Sequence, residues 1–363
     1  MRRADLVVVG GGLVGSATAW WAARSGLDVV MLERFEAGHQ HGSSHGGTRI
    51  FRLAYPQVDY VRLAHRALEL WRQLEDEADE TLLELTGGID LGHGPSVTAT
   101  AAGLSAAGER VEWLDAAAAT ERWPGFAFTG PVLFQPEGGR CWAERSVAAL
   151  ARRATAHGAE VRYQEPVRSL AVVDGHGEVR TDLDTYRAPQ VVLAAGAWVA
   201  DLAQMSGLVG LPPLVVSREQ PAHFAPIDAA SAWPSFIEHS GQGAFVTYGL
   251  QEPGLGIKLG EHMVGPAIHP DRRSFEIDPV ALGRISDHAQ RLLPGVHPEP
   301  VAVDTCLYTS TANEDFVIDR RGPFTVASAC SGHGFKFGPA TGELVAEVAL
   351  GRRATLARFA LPS

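Results

Sequence analysis

The chain opens on an apolar run too short for a helix and too continuous for a strand with one wet face. Leu6-Val7-Val8-Val9 is apolar at every position and β-branched at three, the pattern of a strand buried on both faces. Apolar positions then recur at Val14, Ala17 and Trp21, one face of a helix that Ser25-Gly26 stops. A second uninterrupted run, Val29-Val30-Met31-Leu32, predicts a second buried strand. Strand, helix and strand in this order form a βαβ unit.

Farther on, Leu63, Ala67, Leu70 and Trp71 mark one face of a helix over 60–77. Residues 86–92 read as a turn into a strand, an alanine-rich stretch predicts a helix over 106–121, and 131–134 a strand. A further amphipathic helix is expected over 144–157 and strands over 160–163 and 167–170, the latter two close to the nucleotide. A hairpin with Asp174-Gly175 at its turn follows. The run 190–193 is again continuously apolar and leads into Ala194-Ala195-Gly196-Ala197, small residues that either let backbone approach a cofactor or only turn a tight corner. Leu211-Pro212-Pro213 interrupts the pattern. Short strands and turns dominate 215–308, which predicts a mainly antiparallel sheet. A strand over 324–329, a glycine turn at Gly332 and Gly334 and a helix over 341–350 close the chain.

The first βαβ unit carries chemistry. Gly10, Gly12 and Gly15 fall in the spacing G-x-G-x-x-G where the strand turns into the helix. Gly10 permits the tight turn, Gly12 lets backbone approach a pyrophosphate at the helix N-terminus, and Gly15 lets helix and strand lie close. Glu33 ends the second strand 18 positions after Gly15, where an acid accepts hydrogen bonds from a ribose and disfavours a 2′-phosphate. The unit predicts a dinucleotide site and leaves NAD and FAD both open.

Bulk composition narrows the rest. A net charge of −11 over 363 residues disfavours nucleic acid and anionic membrane surfaces as partners. No apolar run approaches the ~20 residues of a membrane span, and no secretory signal precedes the first strand. Three widely spaced cysteines, Cys141, Cys306 and Cys330, argue against a disulfide framework and fit a reducing cytoplasm. No Cys/His cluster has zinc spacing, so no metal is expected.

Four later stretches hold candidate site residues. Ser43-Ser44-His45-Gly46-Gly47-Thr48-Arg49-Ile50-Phe51-Arg52 either surrounds an anion or polarised ring or is a solvated loop with surface arginines. In Gly256-Ile257-Lys258-Leu259-Gly260-Glu261-His262, a strand would place Lys258 and His262 on one face. A lysine in an apolar strand is costly unless it meets an anion, water or a cavity, or points into solvent at a sheet edge. Cys306 and Tyr308 share a strand face, although a free cysteine also serves as a small buried hydrophobe. Ser331-Gly332-His333-Gly334-Phe335-Lys336-Phe337 lets backbone N–H groups converge near a helix start, with Lys336 adding a charge, or is a plain glycine turn.

Together these residues are recognisable. With the N-terminal fingerprint, His45–Arg52, Ile257–Gly260, Cys306–Tyr308 and Ser331–Phe337, the chain resembles the monomeric sarcosine oxidase family over nearly its whole length. That family includes N-methyltryptophan oxidase and pipecolate oxidase, FAD-dependent amine oxidases of the glycine oxidase/D-amino-acid oxidase fold group. The resemblance implies an α/β chain, α+β overall. A Rossmann-like FAD-binding domain (1–85, 141–213 and 311–363) would be interleaved with a mainly antiparallel β substrate domain (86–140 and 214–310). It implies FAD joined covalently through Cys306 to the 8α-methyl of the ring, with His45 and Arg49 aiding attachment. Lys258 would hold a water near flavin N5 and assist oxygen activation, Arg52 and Lys336 would bind the substrate carboxylate, and His262 and Tyr308 would line the substrate cavity. Further cofactor contacts are expected at Ser43, Thr48, Val167, Gly196, Gly332, Gly334 and Lys336.

The activity implied is oxidation of a secondary amino acid, sarcosine or another N-methyl amino acid, by dioxygen to an imine and hydrogen peroxide, in a cytoplasmic monomer. Rival readings are an oxidase of a cyclic imino acid or primary amine, an NAD-dependent dehydrogenase, and a non-enzymatic flavin-binding protein. The stretch 234–248, with Ile237-Glu238-His239-Ser240-Gly241-Gln242, is about two residues longer than in sarcosine oxidase and leaves the substrate side chain open.

Overall fold

The computed structural model describes residues 1–92, 95–239 and 246–362. Ser240, Gly241 and Gln242 of the stretch 234–248 lie outside the described residues. The first strand, Leu6–Val9, pairs in parallel with Val29–Leu32 on one side and Gln190–Leu193 on the other. Glu160–Arg162 extends this sheet at one edge, Phe324–Ser328 and then Val317–Arg321 at the other. Only Val317–Arg321 runs antiparallel to its neighbour.

Alternation along the first strand decides what each side chain meets. Leu6 and Val8 pack with Leu13, Ala17 and Trp20 of the helix Leu13–Arg24 and with Leu344 and Val345 of the last helix, Gly338–Ala349. Val7 and Val9 pack the other way, with Leu170, Val179, Tyr186 and Leu202. That side is closed by the helix Val199–Ser206 and a four-stranded sheet ordered Arg2–Arg3, Thr185–Ala188, His176–Arg180 and Ser169–Val173. A sheet covered on both faces has no wet side at its centre, which is why Leu6–Val9 and Val29–Leu32 are apolar at every position. Gly15 is required at the helix start, because a Cβ there would stand 1.8 Å from the carbonyl oxygen of Gly10.

A second, eight-stranded sheet has its own core. Its order is Val296–Val303, Ala222–Pro226, Gly256–Glu261, Thr247–Glu252, Ser235–Glu238, Gly88–Leu91, Val132–Gln135 and Glu112–Leu114. Neighbours are antiparallel except Ser235–Glu238 beside Gly88–Leu91. Phe134, Phe224, Trp233, Phe236 and Leu259 fill this core together with Ile285 and Leu292. Two short ladders carry site residues: Thr48–Phe51 on Gly139–Trp142, and Val215–Glu219 on Cys306–Ser310.

Four elements differ from the sequence pattern. The helix expected over 106–121 is two helices with a strand between them: Pro95–Ala106, Glu112–Leu114 and Ala116–Arg122. Gly108 adopts φ +82°, and Asp115 starts the second helix by accepting from the Ala118 N–H. A left-handed glycine and a capping carboxylate outweigh alanine's propensity. The strand expected from Val167 starts at Ser169, and the last helix starts at Gly338, with proline in its first turn. A helix, Pro279–Leu292, stands in the region read as strands and turns, opened by Asp278 accepting from the Val280 and Ala281 N–H groups.

Candidate active site

The C-terminal ends of the parallel strands open into a cavity of about 510 Å³. Gly10, Gly12, Glu33 and Ser43 line it, as do Val167, Gly196, Gly332 and Gly334. Glu33 is buried there: its Oε2 accepts the Gly11 N–H at 2.7 Å and its Oε1 the Phe35 N–H at 2.9 Å. The helix Leu13–Arg24 has no acid in its first turn and no side-chain bond from its cap Gly12. Among the described residues, Ser44 Oγ is the one side-chain acceptor at its positive end, which faces the cavity, taking the Leu13 N–H at 3.1 Å. A buried acid at one end and an anion-ready helix start beside it fit a dinucleotide. Gly15 sits behind the cavity, in the helix–strand packing.

A second cavity, about 410 Å³, is lined by Thr48, Arg52, Lys258, His262 and Lys336. Thr48 and Lys336, expected at the cofactor, thus stand on this second side. His45, Arg49, Cys306, Tyr308, Gly332 and Phe335 line both cavities and form their shared border. Residues from four distant stretches of chain converge here because the two ladders bring Thr48–Phe51 and Cys306–Ser310 up to the mouth of the parallel sheet.

Four cationic side chains, Arg49, Arg52, Lys258 and Lys336, line the second cavity together with the carboxylates of Asp304, Glu314 and Asp315, and each cation has a different partner. Lys258 is buried in its strand, and its Nζ donates to Glu252 Oε2 at 2.8 Å and to Thr48 O at 3.2 Å. Burial and then Arg49 push its pKa down, against the pull of Glu252. Burial opposes the Glu252 charge, but bonds from His223, Lys258 and Thr48 outweigh it and hold the carboxyl well below the usual range. Arg52 Nη1 donates to Asp90 Oδ1 at 3.2 Å, and His239 Nε2 lies 2.7 Å from the same oxygen. Lys336 has no carboxylate within ion-pair reach among the described residues; its Nζ donates to Tyr55 OH at 2.8 Å and His333 O at 2.6 Å. Burial, and then Arg52, push its pKa well below the ordinary lysine value. Both cations lie over the Tyr55 ring, Arg52 at 4.7 Å and Lys336 at 5.4 Å from its centroid.

At the border, burial and then Arg49 lower the His45 pKa to about 3, so its ring is neutral and Arg49 holds the charge. Arg49 is fixed by donating to Thr48 O, Ser43 O and His45 O at 2.8, 3.1 and 2.6 Å. Burial, joined by the Glu219 carboxylate on the paired strand, pushes the Cys306 thiol up to about 11, while Arg49, Arg273 and Lys258 pull it down. His262 Nε2 lies 3.3 Å from Glu314 Oε2, with its ring 5.5 Å from that of Tyr308.

Glu252, Asp90 and Tyr55 escaped the sequence reading, which named His239 only within the stretch 234–248. Asp90 is 3% exposed inside the strand Gly88–Leu91, a buried charge in an apolar strand like Lys258, and the same rule finds it. Glu252 ends its strand before a turn and carries no such signal.

A nucleotide cavity on a parallel sheet, opening into a cationic cavity beside an antiparallel sheet, is the architecture of an FAD-dependent oxidoreductase. Residues 5–348 match the DAO family of FAD dependent oxidoreductases, and the chain belongs to that family. It is 31% identical to the monomeric sarcosine oxidase of Arthrobacter sp. (strain TE1826) over 362 residues, covering 95% of this chain and 92% of that protein. It is 33% identical to the N-methyl-L-tryptophan oxidase of Yersinia pestis (strain Pestoides F), covering 94% of each. Among solved structures it is similar to the open form of NikD, an unusual amino acid oxidase essential for nikkomycin biosynthesis, with 30% identity and a TM-score of 0.88 over 99% of this chain and 98% of that one. Among the described residues no helix is long and apolar enough to cross a membrane.

Proposed function

We propose that the chain oxidises the CH–NH group of a secondary amino acid, sarcosine or another N-methyl amino acid, with dioxygen. The products are an imine, which water converts to an aldehyde and an amine, and hydrogen peroxide. The observation that carries this reading is Lys336. A lysine only 5% exposed and without a carboxylate partner among the described residues carries a large desolvation cost. A substrate carboxylate supplies the missing anion, and Arg52, over the same tyrosine ring, supplies its second contact.

Gly10, Gly12 and Glu33 would hold the ADP half of FAD, with Ser43, Val167, Gly196, Gly332 and Gly334 along the rest of the cavity. FAD, when bound, supplies the two-electron chemistry and the route to dioxygen. Cys306, on the border of both cavities, would bind it through a thioether, with Arg49 stabilising the thiolate and neutral His45 beside it. Lys258 would set positive charge where negative charge develops on dioxygen, kept in place by Glu252 and Thr48. His262 and Tyr308 would shape the space above. Arg52, Lys258 and Lys336 in the lining favour the uncharged amine that the reaction needs. The reading includes a cytoplasmic monomer.

The test is a peroxide assay across sarcosine, N-methyl amino acids, proline, pipecolate, glycine and an amine without a carboxylate. Turnover only of the carboxylate-free amine would refute the role given to Lys336. Acid-precipitated protein should stay yellow, and Cys306→Ala should release the colour; flavin that washes out of both alike sinks the thioether. A cyclic imino acid is the second reading, favoured by the 410 Å³ volume, which exceeds what N-methylglycine fills.

A further inference from the structure

One arginine that lines neither cavity ties the two sides of their shared border together. Arg273 follows the short helix Pro270–Arg272, in a segment that crosses from the antiparallel sheet to the first cavity. Its Nη1 donates to three consecutive carbonyls, those of Gln40, His41 and Gly42, at 2.6, 3.0 and 3.2 Å. Its Nη2 donates to Thr305 O and, at 3.0 Å, to Thr305 Oγ1, and lies 3.4 Å from His45 Nε2. It has no carboxylate within ion-pair reach among the described residues. One guanidinium thus joins the loop that leads to His45 with the residue that precedes Cys306.

The same segment is anchored a second time, at the other end of the cavity. Asp271 Oδ1 accepts from Arg34 Nη1 at 2.9 Å and Trp198 Nε1 at 2.8 Å, and all three residues line the first cavity. Loop anchoring alone would be satisfied by neutral donors. An arginine without a counter-ion also brings a full positive charge up to the Cys306 strand, where it favours a thiolate.

We propose that Arg273 is a positioning residue for covalent attachment of FAD: it sets where the Cys306 thiol stands and favours its ionised form. The inference rests on the thioether reading above. In that step Cys306 Sγ bonds to the 8α carbon, and the thiol and the methyl group each give up one proton. The two electrons leave through the ring to dioxygen, which departs as hydrogen peroxide.

The experiment uses full-length chain produced in a riboflavin-starved host, mixed with FAD in air. Covalent flavin is followed by intact mass and by colour retained after acid precipitation. Arg273→Gln should slow attachment roughly 100-fold, the cost of displacing a reacting group by about an ångström. Arg273→Lys, which keeps charge but not the fork, should fall between the two, and it carries the test if the glutamine variant fails to fold. The neighbouring Arg272→Gln should load at the wild-type rate. Reversible FAD affinity, read by fluorescence in a Cys306→Ala background, should change by less than about tenfold on adding Arg273→Lys. Wild-type attachment rates in both Arg273 variants would overturn the proposal, as would an affinity loss equal to the rate loss, which marks Arg273 as a scaffold for binding only. Wild-type chain that acquires no covalent flavin at all refutes the thioether itself, a distinct result that removes the proposal with it.

Discussion

Glu252→Gln isolates the price of holding a lysine in the site. Lys258 is 6% exposed, and Glu252 is its carboxylate partner, 2.8 Å away. The glutamine keeps the volume and an oxygen for Thr48 Oγ1, which donates to Glu252 Oε2 at 2.7 Å in the wild type, so shape is preserved and charge is not. Removing one member of a buried pair costs about 3–5 kcal/mol. An independent ceiling comes from the lysine: it can escape the penalty by losing its proton. From an unfolded pKa of about 10.4, deprotonation at pH 7 costs about 3.4 units of 1.36 kcal/mol, or roughly 4.6 kcal/mol. The two figures agree, so thermal or urea unfolding at pH 7 should show a loss of about 3–5 kcal/mol.

The pH dependence has a definite sign. In the wild type the folded Glu252 pKa is depressed, so its contribution is present above about pH 4.3 and is lost as pH falls below that. In the variant a neutral Lys258 has a folded pKa below its unfolded one. The unfolded chain then binds more protons, and variant stability rises with pH up to about 10.4. The deficit should therefore be largest between about pH 4.3 and 7, shrinking below that range as Glu252 takes up its proton and, by up to about 1.4 kcal/mol per unit, toward alkali. A deficit under about 1 kcal/mol at pH 7 that stays flat to pH 10 would show that Glu252 is not what keeps Lys258 charged.

Lys336→Met should lower kcat/KM for amino-acid substrates roughly 10–150-fold through loss of a charged hydrogen bond, and leave a carboxylate-free secondary amine unaffected. Equal losses on both would place the lysine outside carboxylate binding. Lys258→Met should slow reoxidation in stopped-flow far more than reduction by substrate; matched losses count against an oxygen role. Gly332→Ala puts a Cβ 2.2 Å from the Tyr308 ring on a backbone at φ +71°. It should cost about 1–3 kcal/mol in unfolding experiments and lower flavin content, and a silent substitution would mean the turn can move away from Tyr308.

The parts of this protein legible in its sequence are those whose cause is local. Continuous apolar runs mark strands covered on both faces, and the spacing of Gly10, Gly12, Gly15 and Glu33 describes a turn whose geometry is complete within a few residues. The pattern failed where a local stop signal hid in favourable composition, as at Gly108 and Asp115 inside the alanine-rich stretch. It also named Lys258, Arg52 and Lys336 without naming what each one touches. Partnership is decided by which chain segments the two sheets bring together, across separations that leave no periodic trace. Glu252 meets Thr48, 204 residues away, and Arg273 meets Gln40 at a separation of 233. Lys258 and Lys336 are both buried lysines in one cavity. Tertiary structure alone gives the first a carboxylate at ion-pair distance and leaves the second, among the described residues, without one in reach, because a charge taken out of water is defined by the groups that replace the water.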